Sequence, residues 1–465
     1  MAPTQQLRRV KSPAWRDVSR SPHARAGHAP RPRVADALAL LAGVGLGVVI
    51  ALVGANESLG ALASPGGWFI GAGRLFGFTG TYLLIVMIVL IARLPWLERT
   101  VGQDRLVHWH RRIGPWPIVL ISLHVVSITL GYAQVTRTGP LHQLDLFLFH
   151  YPNLLAAMVA FALIVLAGLS SVRLARRHQK YETWWVVHLY TYVALALAFA
   201  HQITTGALFL THPLSRDFWI TLWVATAVTV LASRLGGPVV RNRRLQLRVA
   251  QVHELSPGTY SLTISGRGLE RLAVSGGQFF QWRFLTRGLW FHAHPYSLSA
   301  LPRPPFLRVT VKAVGDQSSA LAQVKPGTRV VVEGPYGTFT HHARTTDSLT
   351  LIGAGVGITP LRALLEDLPA AVAVTVIVRA SSSEDLVHRD ELYALAHARG
   401  GAFHELLGAR EEVTLDATTL SRLAPHLGDG DVYVCGPSGF ADRVVDVARQ
   451  LGVAPALIHR EAFSF

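Results

Sequence analysis

Four histidines stand at regular spacing inside apolar sequence: His110 and His124, then His188 and His201. Histidine is costly in a bilayer and marks function there. The fourteen-residue step from His110 to His124 corresponds to about 21 Å of helix and nearly four full turns, so both rings face one way. The thirteen-residue step from His188 to His201 aligns less well on an ideal helix and calls for tilt or a local distortion. Two His–His pairs between neighbouring helices make two bis-histidine haem sites, His110 with His188 and His124 with His201; polar glue between helices, or an interface role, is the alternative. Imidazole on both axial faces leaves no open position, which suits electron transfer. His108 and His178 read as loop residues, and His142, His150 and His212 as solvated residues of outer loops. Arg74 opens the second apolar run, where it can meet a haem propionate or a small anion, or anchor the helix at the interface.

A second group of motifs follows residue 240. His294-Pro-Tyr-Ser-Leu-Ser299 comes after a strand-like stretch, Gly277–Phe284. An aromatic beside a hydroxyl packs on an isoalloxazine ring and hydrogen-bonds its edge, so His294, Pro295, Tyr296 and Ser297 are flavin candidates. Val311 and Lys312, then Ser318 and Ser319, are cofactor-binding candidates: Lys312 can meet a pyrophosphate and the serines can add donors, with a helix N-cap as the alternative for the serines. Gly334-Pro-Tyr-Gly337 reads as a tight turn.

Gly353-Ala-Gly-Val-Gly-Ile-Thr-Pro360 directly follows the apolar run Leu349–Ile352. Glycines at a strand-to-helix turn let backbone N–H groups approach a pyrophosphate, which nominates Gly353, Gly355, Gly357, Thr359 and Pro360. The spacing is G-x-G-x-G, not the Rossmann G-x-G-x-x-G. Arg379 ends the next strand, where it can contact a 2′-phosphate and favour NADPH over NADH, or stand as a plain surface arginine. Cys435-Gly436-Pro437 ends a later strand, placing Cys435 near the nicotinamide or in plain core. Phe465 is a terminal aromatic able to cover the flavin; Phe463 is the better core candidate.

These residues need a scaffold. Half of the 465 residues are hydrophobic and 15% are charged, too apolar for an ordinary soluble chain of this size. Six apolar runs, near 36–54, 75–93, 113–133, 152–170, 183–205 and 217–234, are long enough to cross a bilayer as helices. The first is read as a span rather than a signal peptide cleaved after Ala61-Leu62-Ala63. The net charge of +16 lies beside these runs, which argues against nucleic-acid binding and for membrane topology. Alternate loops carry the cations: the tail, then Arg93, Arg99, Arg105, Arg111 and Arg112, then Arg173, Arg176, Arg177 and Lys180, then Arg234 to Arg244. Both termini are therefore expected in the cytoplasm. With one cysteine, no intrachain disulfide and no thiolate metal cluster can form.

The expected organisation is a disordered basic tail (1–34), a six-helix transmembrane bundle (35–238), an antiparallel β-barrel for FAD (241–345) and a parallel-sheet α/β nicotinamide domain (346–465). Strands are expected at Leu245–Ala250 and Leu307–Lys312.

In histidine spacing and motif order the chain resembles the ferric reductase and NADPH oxidase superfamily over about 36–465, and its soluble half resembles the ferredoxin–NADP reductase module. The family often has Phe-Thr where this chain has Tyr296-Ser297. The resemblance implies FAD, two b-type haems and NADPH or NADH. It also assigns His110 with His188 to the inner haem, His124 with His201 to the outer haem, and Phe465 to the flavin-shielding aromatic. It implies electron transfer from cytoplasmic NAD(P)H across a plasma (inner) membrane to an external acceptor, foremost a ferric or cupric chelate. Oxygen, or a quinone or protein partner, is the alternative. No calcium-loop motif or docking insert is present, so no obligatory protein partner is expected.

Overall fold

The computed structural model describes residues 32–172, 181–205, 212–409 and 415–463. Two units separate. One holds Arg31–Leu97 and Asp104–Gly236; the other holds the chain from Gly237 onward together with Glu98–Gln103.

The first unit is helical: α1 (Pro32–Ala55), α2 (Gly67–Ile91), α3 (Gln103–Ile113), α4 (Pro115–Thr136), α5 (Pro140–Phe149), α6 (Leu154–Ser171), α7 (Tyr181–Thr204) and α8 (Pro213–Leu231). Six helical stretches, α3 and α4 counting as one through helical Gly114, are long and apolar enough to cross a membrane. Many side chains that would be core in a soluble bundle, such as Leu123, Val126 and Leu166, face outward. Without a hydrophobic driving force between helices, close packing rests on small residues. A Cβ on Gly73, Gly77 or Gly80 of α2 would come within 3 Å of Ile128, His124 or Ile121 of α4. Tyr82 of α2 donates to the Ala42 carbonyl of α1 at 2.8 Å, and Trp219 of α8 donates to Gln202 of α7 at 2.8 Å.

In the second unit, helix α9 (Gly237–Leu245) leads into six antiparallel strands. Strands β1 (Arg248–Ser256), β2 (Thr259–Ser265) and β5 (Phe306–Lys312) form one sheet; β3 (Phe279–Phe284), β4 (His294–Ser297) and β6 (Val330–Tyr336) form the other. The bridges Leu298↔Val309 and Arg248↔Arg329 join the two sheets into a barrel. The first strand starts at Arg248 rather than Leu245, because α9 carries the backbone as far as Leu245. The barrel core holds Phe280, Trp282, Phe284, Leu262 and Ile264.

A five-stranded parallel sheet follows: β7 (Ser348–Ala354), β8 (Ala373–Ala380), β9 (Ala402–Leu407), β10 (Asp431–Pro437) and β11 (Ile458–Phe463), in the order β11-β10-β7-β8-β9. Helices α10 (Ile358–Asp367), α11 (Arg389–His397) and α12 (Ser438–Gln450) pack against it. The order reverses between β7 and β10, and a crevice outside the carboxyl ends of strands at such a point is where open α/β sheets bind ligands.

Charged side chains are buried together between barrel and sheet. Arg308 of β5 makes two bonds to Glu391 of α11, at 2.7 and 2.8 Å. Arg362 of α10 donates to the same carboxylate at 2.6 Å and pairs with Glu366, which also meets Arg303 at 2.9 Å. Residue types that read as surface in a sequence are here 3% (Arg308) and 1% (Arg362) exposed. Each charge has a partner, as burial requires.

Candidate functional site

In the helical unit the ring centres of His110 (α3) and His188 (α7) are 6.2 Å apart, with planes at 72°. Two metal–nitrogen bonds of about 2.0–2.1 Å, with each ring centre about 1 Å behind its nitrogen, span about 6 Å. The pair is spaced for one metal ion between the rings. His110 Nδ1 donates to the Met87 carbonyl at 3.3 Å, which leaves Nε2 for a metal. His188 stacks on Trp184 at 5.1 Å.

His124 (α4) and His201 (α7) line a common cavity of about 440 Å³ with Arg74, Phe78, Tyr132 and Met158. This volume falls within the roughly 300–1,000 Å³ of ligand pockets. His124 Nδ1 donates to the Gly73 carbonyl at 2.8 Å, again freeing Nε2. Nδ1 of His201 is buried and has no hydrogen-bond partner among the described residues. No group of three or more His, Cys, Asp or Glu able to hold a bare ion occurs among the described residues. Paired imidazoles around an apolar cavity fit a metal that brings its own equatorial ligands. Arg74 pairs with Glu57 at 2.8 Å, a partner that sequence reading did not identify.

In the barrel, His294, Tyr296 and Ser297 lie on β4 opposite β3, with Phe279↔Ser297 and Trp282↔His294 in register. Trp282 Nε1 donates to the Tyr296 carbonyl at 2.9 Å, and the rings of His294 and Tyr296 stack at 8°. Burial, aided by His292 and Arg283, pushes His294 down to about 4, so the ring is neutral at pH 7. His294 Nε2 and Ser297 Oγ are buried without hydrogen-bond partners among the described residues. Such orphaned groups beside a stacked tyrosine fit the polar edge of a flavin.

At the switch point, the glycine turn and the Cys435-Gly436-Pro437 turn meet. Gly355 has φ +55°, and a Cβ on Gly357 would lie 2.5 Å from the Cys435 carbonyl oxygen. A cavity of about 590 Å³ opens here, lined by Lys312, Gly355, Arg379, Pro437 and Arg443 among others. The N-terminus of α10 follows at Ile358, a favourable place for an anion. The Thr359 hydroxyl donates to the Val356 carbonyl at 2.9 Å, and Pro360 is buried in the first turns of α10. Cys435 is fully buried. Burial and the neighbouring Glu461 carboxylate push its thiol up, so it is a thiol, not a thiolate.

The remaining expected residues differ in their surroundings. The Val311 side chain, 1% exposed, packs in the barrel core. Lys312 lines the same cavity as Arg379, where it can meet a pyrophosphate. The Ser318 hydroxyl accepts from Val314 and Gly315 N–H at 3.0 Å each, capping the short helix Asp316–Ala320 that also contains Ser319. His110 and His124 lie on the one helical stretch that α3 and α4 form through Gly114. Phe465, His178 and the cations at 173–180 lie outside the described residues; the described strand end places Phe463 opposite Pro437. Arg443 was missed because an arginine on an amphipathic helix carries no motif.

Residues 76–199 match the family model described as the ferric reductase like transmembrane component, and residues 351–446 match the oxidoreductase NAD-binding domain. A ferredoxin–NADP reductase B of Sorangium cellulosum is 31% identical over 187 residues, 36% of this chain and 77% of that protein. An NADPH oxidoreductase of Mycobacterium tuberculosis is 27% identical over 240 residues, 50% of this chain and 63% of that protein. Among solved structures, the FAD/NAD-binding domain of nitric oxide dioxygenase from Vibrio cholerae O1 biovar El Tor is similar at 23% identity and TM-score 0.37, over 48% of this chain and 99% of that one. Through its C-terminal half the chain belongs to the ferredoxin–NADP reductase family, here fused to a ferric reductase-like, multi-pass transmembrane domain in the architecture of the ferric reductase and NADPH oxidase proteins.

Proposed function

We propose that this chain carries electrons from cytoplasmic NAD(P)H through FAD and two b-type haems to an acceptor outside the membrane. The observation that carries the reading is the pairing of His110 with His188 at 6.2 Å and of His124 with His201 around one cavity, in a chain that also bears a reductase module. When bound, FAD and haem supply the redox chemistry: a hydride taken in, single electrons passed on. The protein binds and orients. Lys312, Arg379 and Arg443 hold the nucleotide phosphates, and the glycine turns bring its backbone close. Ser297 and neutral His294 offer hydrogen bonds to the flavin edge. The two histidine pairs hold one iron each, their tautomers fixed on the inner side by Met87 and on the outer by Gly73.

The excess of arginine in alternate loops supports a reading in which the His110–His188 end, both termini and the reductase module face the cytoplasm of a plasma (inner) membrane, with Arg74 and Glu57 on the outer side. Ferric or cupric chelates and oxygen all accept single electrons there, and no protein partner is required. The test is an anaerobic reduced-minus-oxidised spectrum of detergent-purified protein supplied with FAD and NADPH. A b-type spectrum at about two haems per chain is expected. Absence of haem with dithionite as well as NADPH would overturn the reading.

A further inference from the structure

The charges around the outer end of the helical unit cancel. From the end of α1 to the start of α8, the segments at this end carry three arginines (Arg74, Arg137 and Arg216) and three carboxylates (Glu57, Asp145 and Asp217). Arg216 and Asp217 are 3.4 Å apart. Arg74 is the cation on the cavity wall beside His124 and His201, and Glu57 holds its guanidinium at 2.8 Å with both side chains mostly buried, 28% and 13% exposed. Glu57 lies in the short link after α1, and its carboxylate rests over Gly71, one turn before Arg74 on α2. The opposite end of the same bundle is dense in arginine. A cleft lined by one sign of charge focuses its field and raises encounter with ions of opposite sign. A cavity mouth whose cation is matched by a carboxylate does not.

We propose that Glu57 is a specificity-determining residue: by neutralising Arg74 it makes the exit site select a small uncharged one-electron acceptor, such as dioxygen, over an anionic metal chelate. This rests on the outward electron route proposed above. Each NAD(P)H oxidised releases two electrons and one proton, and so reduces two molecules of such an acceptor.

The experiment uses the full-length holoprotein with NADPH and two one-electron probes of opposite charge, ferricyanide and hexaammineruthenium(III), with dioxygen as the uncharged comparison. Rates are followed from about 10 mM salt, where the Debye length is about 30 Å, to about 1 M, where it is about 3 Å. The wild type is expected to show little salt dependence with either probe. Glu57→Gln should raise the ferricyanide-to-ruthenium rate ratio about tenfold at low salt, the effect vanishing at high salt. Arg74→Gln should shift the ratio the other way, and the double variant should return it toward wild type. Steep salt dependence in the wild type overturns the proposal even if the variants do not fold. This includes a cation-favouring dependence, as when a haem propionate takes Arg74 and leaves Glu57 uncompensated. Unchanged ratios in both single variants overturn it too. In each of these cases NADPH-reducible haem shows that the relay itself survives; a wild type without b-type haem removes the relay and the proposal together.

Discussion

His124 Nδ1 donates to the carbonyl of Gly73 at 2.8 Å, across the seam between α4 and α2. The contact exists because α2 carries glycine one turn on: a Cβ on Gly77 would lie 2.6 Å from the same Nδ1. The glycine seam therefore brings the helices together and aims the imidazole. Gly77→Ala should push the ring out of place, lowering haem from about two to about one per chain and costing about 1–3 kcal/mol through overpacking. A pyridine haemochrome assay against protein concentration measures this, and a full haem complement in the variant would contradict the assignment.

His188→Ala leaves His110 without its partner at 6.2 Å. The expected protein retains the haem held by His124 and His201, which dithionite reduces and NADPH does not, because the inner step is missing. Stopped-flow spectra with each reductant separate the cases. Rapid reduction by NADPH would show that electrons reach the outer site by another route.

Arg443 shares the nucleotide cavity with Arg379 and Lys312. A hydrogen bond to a charged group is worth about 1.5–3 kcal/mol. Arg443→Ala should therefore raise KM for NADPH roughly 10- to 100-fold, with a smaller change for NADH and little change in kcat. Equal effects on both nucleotides would place Arg443 at the shared pyrophosphate and remove it from the choice between them.

Cys435 should be inert. The reactive form of cysteine is the thiolate, and burial beside Glu461 pushes this thiol up. Maleimide at pH 8 should leave the folded holoprotein unlabelled and fully active, and label one site per chain after denaturation. Labelling of the folded protein with loss of flavin reduction would show an accessible thiolate.

Local signals carried much of this far. The six apolar runs, the alternation of β5 and the glycine turn after β7 were legible because each depends on residues close in sequence. Helical spacing also led to the proximity of His110 to His188 and the shared cavity of His124 and His201; the haem pairing built on them is the proposal that the spectra test. Three features were not legible. Glu57 and Arg74 are seventeen residues apart, one of them in an irregular link, and no periodicity couples them. Lys312 and Arg443 meet in one cavity only after the barrel and the sheet have formed. The buried cluster of Arg303, Arg308, Arg362, Glu366 and Glu391 consists of residues that are surface by composition; only tertiary pairing makes their burial tolerable. Ser318 shows the reverse: its capping role, the alternative offered by the sequence, depends on residues three and four positions away and is present.

That buried cluster sets an acid limit on the reductase unit. His388 donates to or accepts from Thr310 at 2.9 Å and lies 3.5 Å from Glu391, with Arg308 and Arg362 on the same carboxylate. Burial, reinforced by the Arg308 charge, lowers His388 from 6.5 to about 4, while its arginine and histidine partners hold the Glu391 carboxyl well below the usual carboxylate range. For both groups the folded state binds the proton less readily than the unfolded chain, so stability rises with pH. The histidine contribution is complete above pH 6.5 and is lost as pH falls toward 4, about 3 kcal/mol at about 1.4 kcal/mol per unit. The carboxylate contribution begins to fall below about 4.5. His294 and His341, also near 4, act in the same direction, so the slope must be assigned by substitution. His388 has φ +57°, a conformation that asparagine tolerates, which makes His388→Asn the suitable variant. Flavin-fluorescence melts of the full-length protein at pH 7 and pH 5 should show a smaller loss of Tm on acidification in His388→Asn than in the wild type. Parallel losses in the two proteins would move the acid sensitivity to the other buried histidines.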